Sequence, residues 1–263
     1  MLGMKKVFYL IVLSYHVTKN PGIPSISALD FPVVYERENR FSIDLKNMLM
    51  AMPNKIWLFR ITHIENIPHI LRNGLVTRHS PSASEDFVRI GDISLIEVRD
   101  DIKAPVPPGG MLSEYIPFYF GPRSPMLYQI STGFDGVKQF PQQEIVYIVT
   151  SLDKIREHHL PYFFTDGHIR SFTSTSYNDD KYLEKLDWNA IFASYWKSDE
   201  ADLRRQEKKQ AELLVKNYVP VNAIELFCVY NEHAKGILDS FLSGMNHEFE
   251  VRISPKKLYY DHL

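Results

Sequence analysis

One cysteine, Cys228, stands in a chain of 263 residues. A lone cysteine closes no internal disulfide and builds no cysteine-ligated zinc site, which fits a reducing compartment. Inside the apolar run 224–230 it reads as a small core hydrophobe. No apolar stretch approaches the roughly 18 residues that a membrane span requires. The nearest thing to a targeting signal is Lys5-Lys6 followed by the apolar run 7–13, but Ser14-Tyr15-His16-Val17 offers no small-residue cleavage site. That segment is read instead as an accessory strand, or as sequence upstream of a natural start at Met48, Met50 or Met52. An excess of one charge is lacking too: a net charge of −2 supplies no global field for a polyanion, so any contact with nucleic acid rests on local basic patches. There is no glycine-rich phosphate loop, no G-x-S-x-G elbow and no H-E-x-x-H helix, which removes support for the common nucleotide-hydrolysing and zinc-protease chemistries. Internal repeats and low-complexity tracts are absent as well. What remains, with 44% hydrophobic and 24% charged residues, is an ordinary globule of one large domain or one domain with an extension.

Residues 1–54 differ in character from the rest, with Pro21-Gly22-Ile23-Pro24 as a turn-rich interruption, and are read as an N-terminal extension to a domain at 55–263. That domain opens with an aromatic and β-branched run at 55–63, expected as a buried strand. Asn66 is the expected N-cap of a helix with Pro68 in its first turn and Gly74 at its end. A polar, serine-rich loop at 77–85 precedes a short helix at 93–101, and the prolines and glycines of 105–110 forbid regular structure. The run 115–120 is expected as a strand near a sheet edge, because Pro117 lacks an amide donor. Further strands are expected at 144–150, 162–165, 212–216, 224–230 and 248–253. Helices are expected at 183–196, with Asp187 and Trp188 near its middle, and at 233–242, and a charged helix or loop at 200–210.

Glu212 heads the apolar run Leu213-Leu214-Val215 with Gln210 two residues before it. A carboxylate at the start of a buried strand, at a sheet edge, has its side chain free to stabilise a cationic sugar. The competing reading is a solvated glutamate closing a charged helix. Arg60 lies inside an apolar strand, so it implies either a carboxylate partner or a phosphate ligand. Thr62 and His63 on the same strand, Arg99 before the proline loop and Tyr119 complete a set of polar residues attached to apolar elements. His158-His159 are adjacent and diverge on any regular element, so no metal is assigned. Ser174-Thr175-Ser176 matches a strand motif of some ADP-ribosylating toxins, in a stretch already rich in serine and threonine.

Taken together these segments resemble the DarT family of DNA ADP-ribosyltransferase toxins, over about residues 56–260. The resemblance rests on Phe59-Arg60-Ile61-Thr62-His63-Ile64-Glu65-Asn66-Ile67, Ile70-Leu71-Arg72-Asn73-Gly74-Leu75, Pro107-Pro108-Gly109-Gly110 and the block from Tyr115 through Pro122-Arg123-Ser124-Pro125-Met126-Leu127-Tyr128. It continues in Phe164-Thr165-Asp166-Gly167-His168, Leu186-Asp187-Trp188, Tyr195-Trp196 and Gln210-Ala211-Glu212-Leu213-Leu214-Val215. It implies an α+β chain with the ADP-ribosyltransferase fold, a split mixed β-sheet with flanking helices gripping NAD in a cleft. The implied activity is transfer of ADP-ribose from NAD, as co-substrate and without a metal, to a thymidine or guanosine base of single-stranded DNA.

By the same resemblance the catalytic residues fall on Glu212 and Arg99. The NAD-binding residues fall on Arg60, Thr62, His63, Gly74, Leu75 and Tyr119, and weaker DNA contacts on Arg123, Tyr128, His168, Lys209 and Gln210. Many members carry His where this chain has Arg60, which leaves base preference open. Glu212 is expected to stabilise positive charge on the ribose and to help deprotonate the attacking base, with Arg60 or Arg99 on the pyrophosphate and Arg99 also orienting the base. The basic residues of 204–209 are available to phosphates, or form a charged helix face. A cytoplasmic toxin of a toxin–antitoxin or phage-defence pair, with a macrodomain antitoxin of the DarG kind as partner and no membrane association, completes the expectation. The rivals are transfer to RNA or protein, a metal-independent nuclease using Glu212 with His63 or His168, and a binding module without turnover.

Overall fold

The computed structural model describes residues 52–245 and 248–260. Up to position 51, the extension read at 1–54 lies outside the described residues. Strand β1 (Trp57–His63) passes through a tight helical turn into α1 (Ile67–Asn73) and then β2 (Leu75–Val76). After them come α2 (Ile93–Val98), β3 (Tyr115–Tyr119), α3 (Pro125–Thr132), β4 (Ile145–Ser151), α4 (Leu152–Glu157), β5 (Tyr162–Thr165) and β6 (Ser176–Tyr177). The remainder holds α5 (Trp188–Phe192), α6 (Arg205–Lys208), β7 (Glu212–Lys216), β8 (Tyr218–Val219), β9 (Leu226–Val229), α7 (Glu232–Leu242), β10 (Glu250–Ile253) and α8 (Pro255–Leu258).

Eight strands form one sheet in the order β10-β9-β4-β1-β3-β7-β5-β6, and β2 pairs with β8 beside it. Among the described residues only β10 and β9 run parallel, so the sheet is mixed and the chain is α+β. All seven residues of β4 are buried, which is why its run Ile-Val-Tyr-Ile-Val reads as continuously apolar: it sits between β1 and β9 and is covered on both faces. Leu58, Val146, Ile148, Phe118, Leu213 and Phe227 belong to the main core, each burial stabilising the fold by about 1.5–3 kcal/mol.

The expectation that β3 lies near an edge is corrected. It is interior, fully paired with β7 from Tyr115↔Lys216 to Tyr119↔Glu212, but it meets β1 only at Phe59↔Tyr119. Beyond that pair the sheet splits. The Pro117 carbonyl accepts a hydrogen bond from Arg60 Nη1 at 2.9 Å, so it faces the split. In a strand the amide and carbonyl of one residue point the same way, and the donor that proline lacks is therefore missing where no ladder exists to use it. Proline marks an unpaired side here, as it would at an edge.

Three other expectations change. Asn66 caps nothing with its side chain. It is buried, donates to Thr62 Oγ1 (3.0 Å) and the Val88 carbonyl (2.8 Å) and accepts from Val88 N (2.8 Å), bracing the loop before α2 against β1. The helix expected at 183–196 is broken, because Asp187 accepts from Ala190 N at 3.0 Å and starts α5 afresh as its N-cap. Helices α3 and α4 were not anticipated. Both begin on a serine whose hydroxyl accepts an amide three residues on: Ser124 from Leu127 N and Ser151 from Lys154 N.

Candidate active site

The split between β1 and β3 opens a cleft of about 300 Å³. Arg60 and Thr62 line it from β1 and Tyr115, Pro117 and Tyr119 from β3, while Glu212 enters at the start of β7. The loop before α2 contributes Phe87 and Arg89, α2 itself Leu95, and the position just after it Arg99; His168, Ile169 and Arg170 come from the loop after β5, and Gln210 from the turn before β7. Glu212 lies at the end of an interior strand between β3 and β5, and not on a lateral edge as its position at the head of a strand first suggested. The residue is only 3% exposed, and its Oε1 accepts from Ile169 N at 3.0 Å, which fixes the carboxylate.

Two guanidiniums face this carboxylate's cleft. Arg60 has no ion-pair partner among the described residues. Burial, and then the positive charge of Arg99, lower its pKa to about 10. Arg99 follows the last turn of α2, its Nε donating to the Leu112 carbonyl at 3.4 Å. Its Nη2 is buried and makes no hydrogen bond among the described residues. Its neighbour Asp100 is held by Arg78 and by His79 (2.7 Å), and the Arg78 contact keeps the Asp100 carboxyl well below the usual range. This clamp ties the segment after β2 to the end of α2 and so sets where Arg99 stands. An unsatisfied buried donor and a second cation, neither in an ion pair among the described residues, form an arrangement that an anion completes. Tyr119 lies in the same field: burial, then the charge of Glu212, push its hydroxyl above the ordinary tyrosine range, so it is a neutral donor at physiological pH. A ligand that carries a pyrophosphate suits this donor set.

Other residues singled out from the sequence lie elsewhere. Alternation along β1 sends His63 away from Thr62. Its ring packs on Phe140 (5.2 Å), with Nε2 3.3 Å from Glu144 and Nδ1 accepting from Glu65 N, outside the cleft lining. Gly74 and Leu75 lie just before the lining residues Val76 and Thr77. Gly74 has φ of +71°, and a Cβ there would meet the Val219 carbonyl at 2.5 Å, so it serves the β2–β8 pairing. Tyr128 packs edge-on against Trp196 and Tyr260, each at 5.7 Å, and the Arg123 guanidinium donates to Ser194 Oγ at 3.2 Å; neither lines the cleft. Lys209 is buried, donating to the Ile191 and Ala193 carbonyls at 2.7 and 3.0 Å. The other basic residues of its segment are held by acids, Arg204 by Glu207, Arg205 by Asp199 and Lys208 by Asp187 and Asp202. His168 and Gln210 do line the cleft. Ser176 lies on the outer strand β6, and no group of three or more His, Cys, Asp or Glu able to hold a metal occurs among the described residues.

Residues 59–260 match the family model described as ssDNA thymidine ADP-ribosyltransferase, DarT. The chain belongs to the DarT family. A curated relative from Thermus sp. (strain 2.9), a DNA ADP-ribosyl transferase, is 40% identical over 213 residues, covering 81% of this chain and 100% of that protein. The solved structure of Thermus sp. 2.9 DarT in complex with ADP-ribosylated ssDNA matches with a TM-score of 0.71 at 34% identity, over 81% of this chain and 100% of that one. The same DarT in complex with NAD+ matches with a TM-score of 0.66 at 33% identity, over 80% and 100%. Within the family setting, the sequence reading missed several cleft residues. Arg89 and Arg170 stand in loops without periodicity, whereas Met126 and Gln129 come from α3, whose start (Ser124-Pro125) and stop (Gly133) signals were present in the sequence.

Proposed function

We propose that this DarT-family chain transfers ADP-ribose from NAD to a base, thymidine in the first instance, of single-stranded DNA. The observation that carries the reading is the pairing, in one cleft opened by the sheet split, of a fixed carboxylate with two arginines that lack acidic partners among the described residues. NAD-bound and ssDNA-bound structures of a relative of similar fold support it.

Arg60 and Arg99 hold the pyrophosphate, and the Tyr119 hydroxyl donates a neutral hydrogen bond nearby. As the bond between the ribose and nicotinamide breaks, positive charge builds on the ribose carbon, and Glu212 lowers its energy. A ring nitrogen of the base forms the new bond to that carbon, its proton passes to Glu212 and then to solvent, and nicotinamide leaves. That nitrogen is covered in a duplex, so the substrate strand is unpaired. Residues outside the cleft lining keep supporting roles: Gly74 and Leu75 guide the chain into the cleft wall, and His63 anchors the end of β1. Lys209 fixes the turn before Glu212.

The cytoplasm as compartment and a macrodomain antitoxin as partner belong to the same proposal, through family membership; among the described residues no helix is long and apolar enough to cross a membrane. The test is incubation of the chain with NAD and, separately, single-stranded DNA, RNA and protein, read by mass. An ADP-ribose adduct on DNA that Glu212→Ala abolishes, with NAD binding retained, supports the reading. An adduct on RNA or protein alone, a cut strand without NAD consumption, or NAD binding without any product overturns it.

A further inference from the structure

Phe172 is fully exposed, at 107% of its reference surface, in the loop between β5 and β6. The next most exposed large hydrophobic residue among those described is Leu203, at 79%. The loop that carries the ring is framed on both sides of it. Ser171 Oγ donates to Glu207 Oε2 at 2.6 Å, and Thr173 Oγ1 donates to the same oxygen. Arg204, paired with Glu207, donates from Nη2 to the Thr173 carbonyl at 2.7 Å. At the base of the loop Thr175 N donates to Asp166 Oδ1 at 2.7 Å, and Gly167 sits so close to Glu207 that a Cβ would meet its Cγ at 2.8 Å. One carboxylate thus grips the residues before and after the phenylalanine and leaves the ring in water.

This loop is also the wall of the cleft. Ile169, three residues earlier, gives its amide to Glu212, and His168 and Arg170 line the cavity. Three residues span at most about 10 Å of chain, so the backbone of Phe172 stands within that reach of the amide on the carboxylate. Arg170 is exposed, and its guanidinium makes no hydrogen bond or ion pair among the described residues. An outward aromatic face two residues from a guanidinium that lines the cleft, in the field of Asp92 but without a direct ion pair among the described residues, combines the two elements that hold a single strand, a stacking surface and a phosphate partner.

We propose that the loop 166–175 is a platform for the nucleotide adjacent to the target base: Phe172 stacks on the neighbouring base and Arg170 meets the phosphate between them. The inference rests on the reading of the cleft as acting on single-stranded DNA. The experiment measures KM for a single-stranded oligonucleotide, by mass of the adduct, and NAD affinity by calorimetry without DNA, for the full chain and for Phe172→Ala, Phe172→Trp and Arg170→Gln. Phe172→Ala raises the KM for DNA by about 5- to 150-fold, the range that stacking of one base gives, with NAD affinity unchanged. Phe172→Trp stays near wild type, and Arg170→Gln raises the KM while flattening its salt dependence. A KM for Phe172→Ala within twofold of wild type overturns the inference while the reading of the cleft stands. So does a loss of NAD affinity equal to the rise in KM, or a tryptophan no better than alanine. A wild-type chain that puts no adduct on any DNA sinks that reading and the inference with it.

Discussion

Replacing Glu212 by glutamine isolates one charge. The residue is 3% exposed and its Oε1 accepts from Ile169 N at 3.0 Å. Glutamine keeps an oxygen for that amide and nearly the same volume, so the cleft and its arginines stay in place. What disappears is a full negative charge facing the carbon that becomes positive. At a separation of about 4 Å and an effective dielectric constant of about 20, two unit charges interact by about 4 kcal/mol. With roughly half a charge developed, the loss is about 2 kcal/mol, or about 30-fold in rate. Glutamine also removes the proton acceptor, and general-base assistance is typically worth about 100-fold or more. The expected fall in kcat is therefore about 1,000-fold or greater, while Kd for NAD, assigned in our proposal to Arg60 and Arg99, stays within about threefold. Single-turnover transfer to an oligonucleotide, read by mass, with calorimetry for NAD, makes the comparison. A variant that transfers within tenfold of wild type would refute the assignment, because no electrostatic or proton-transfer role for this carboxylate is compatible with so small an effect.

Arg60→His removes the charge-assisted contact proposed for Arg60 and is expected to weaken NAD binding by about 10- to 100-fold. Burial and Arg99, which already lower the pKa of Arg60, also hold a histidine there neutral, so acidifying from pH 8 to pH 6 restores little affinity; full recovery at pH 6 in calorimetry counts against the two-arginine site. For Lys209 burial lowers the pKa to about 7 from 10.5. The unfolded chain therefore binds more protons between those values, and stability rises with pH across that window, by about 2 kcal/mol from pH 7 to pH 9. Urea denaturation of wild type against Lys209→Met checks this, since the variant lacks that share of the slope, and parallel pH profiles contradict it. Gly74→Ala forces a Cβ toward the Val219 carbonyl at a φ of +71° and is expected to cost about 1–3 kcal/mol in the same denaturation experiment; a change below about 0.5 kcal/mol argues that β2 and β8 give way freely.

The residues most legible in the sequence were those whose local pattern contradicts their chemistry. An arginine in an aromatic and β-branched strand and a glutamate heading Leu213-Leu214-Val215 both stand out because burial of a charge is costly unless something uses it. For the same reason β1, β4 and β7 were readable from their apolar runs alone. The rest depends on contacts far apart in the chain. Pro117 announces an unpaired strand side, but whether that side is an edge or a split inside the sheet is decided by β1, more than fifty residues earlier. Thr62 and His63 share a motif, yet strand alternation sends one into the cleft and the other onto Phe140. Lys209 reads as one more cation in a charged run, until the carbonyls of Ile191 and Ala193 take it into the interior. Neither Arg60 nor Arg99 reveals from its own surroundings that it meets the charge of the other; two guanidiniums without an ion pair among the described residues come together only once β1 and α2 are folded onto the same split.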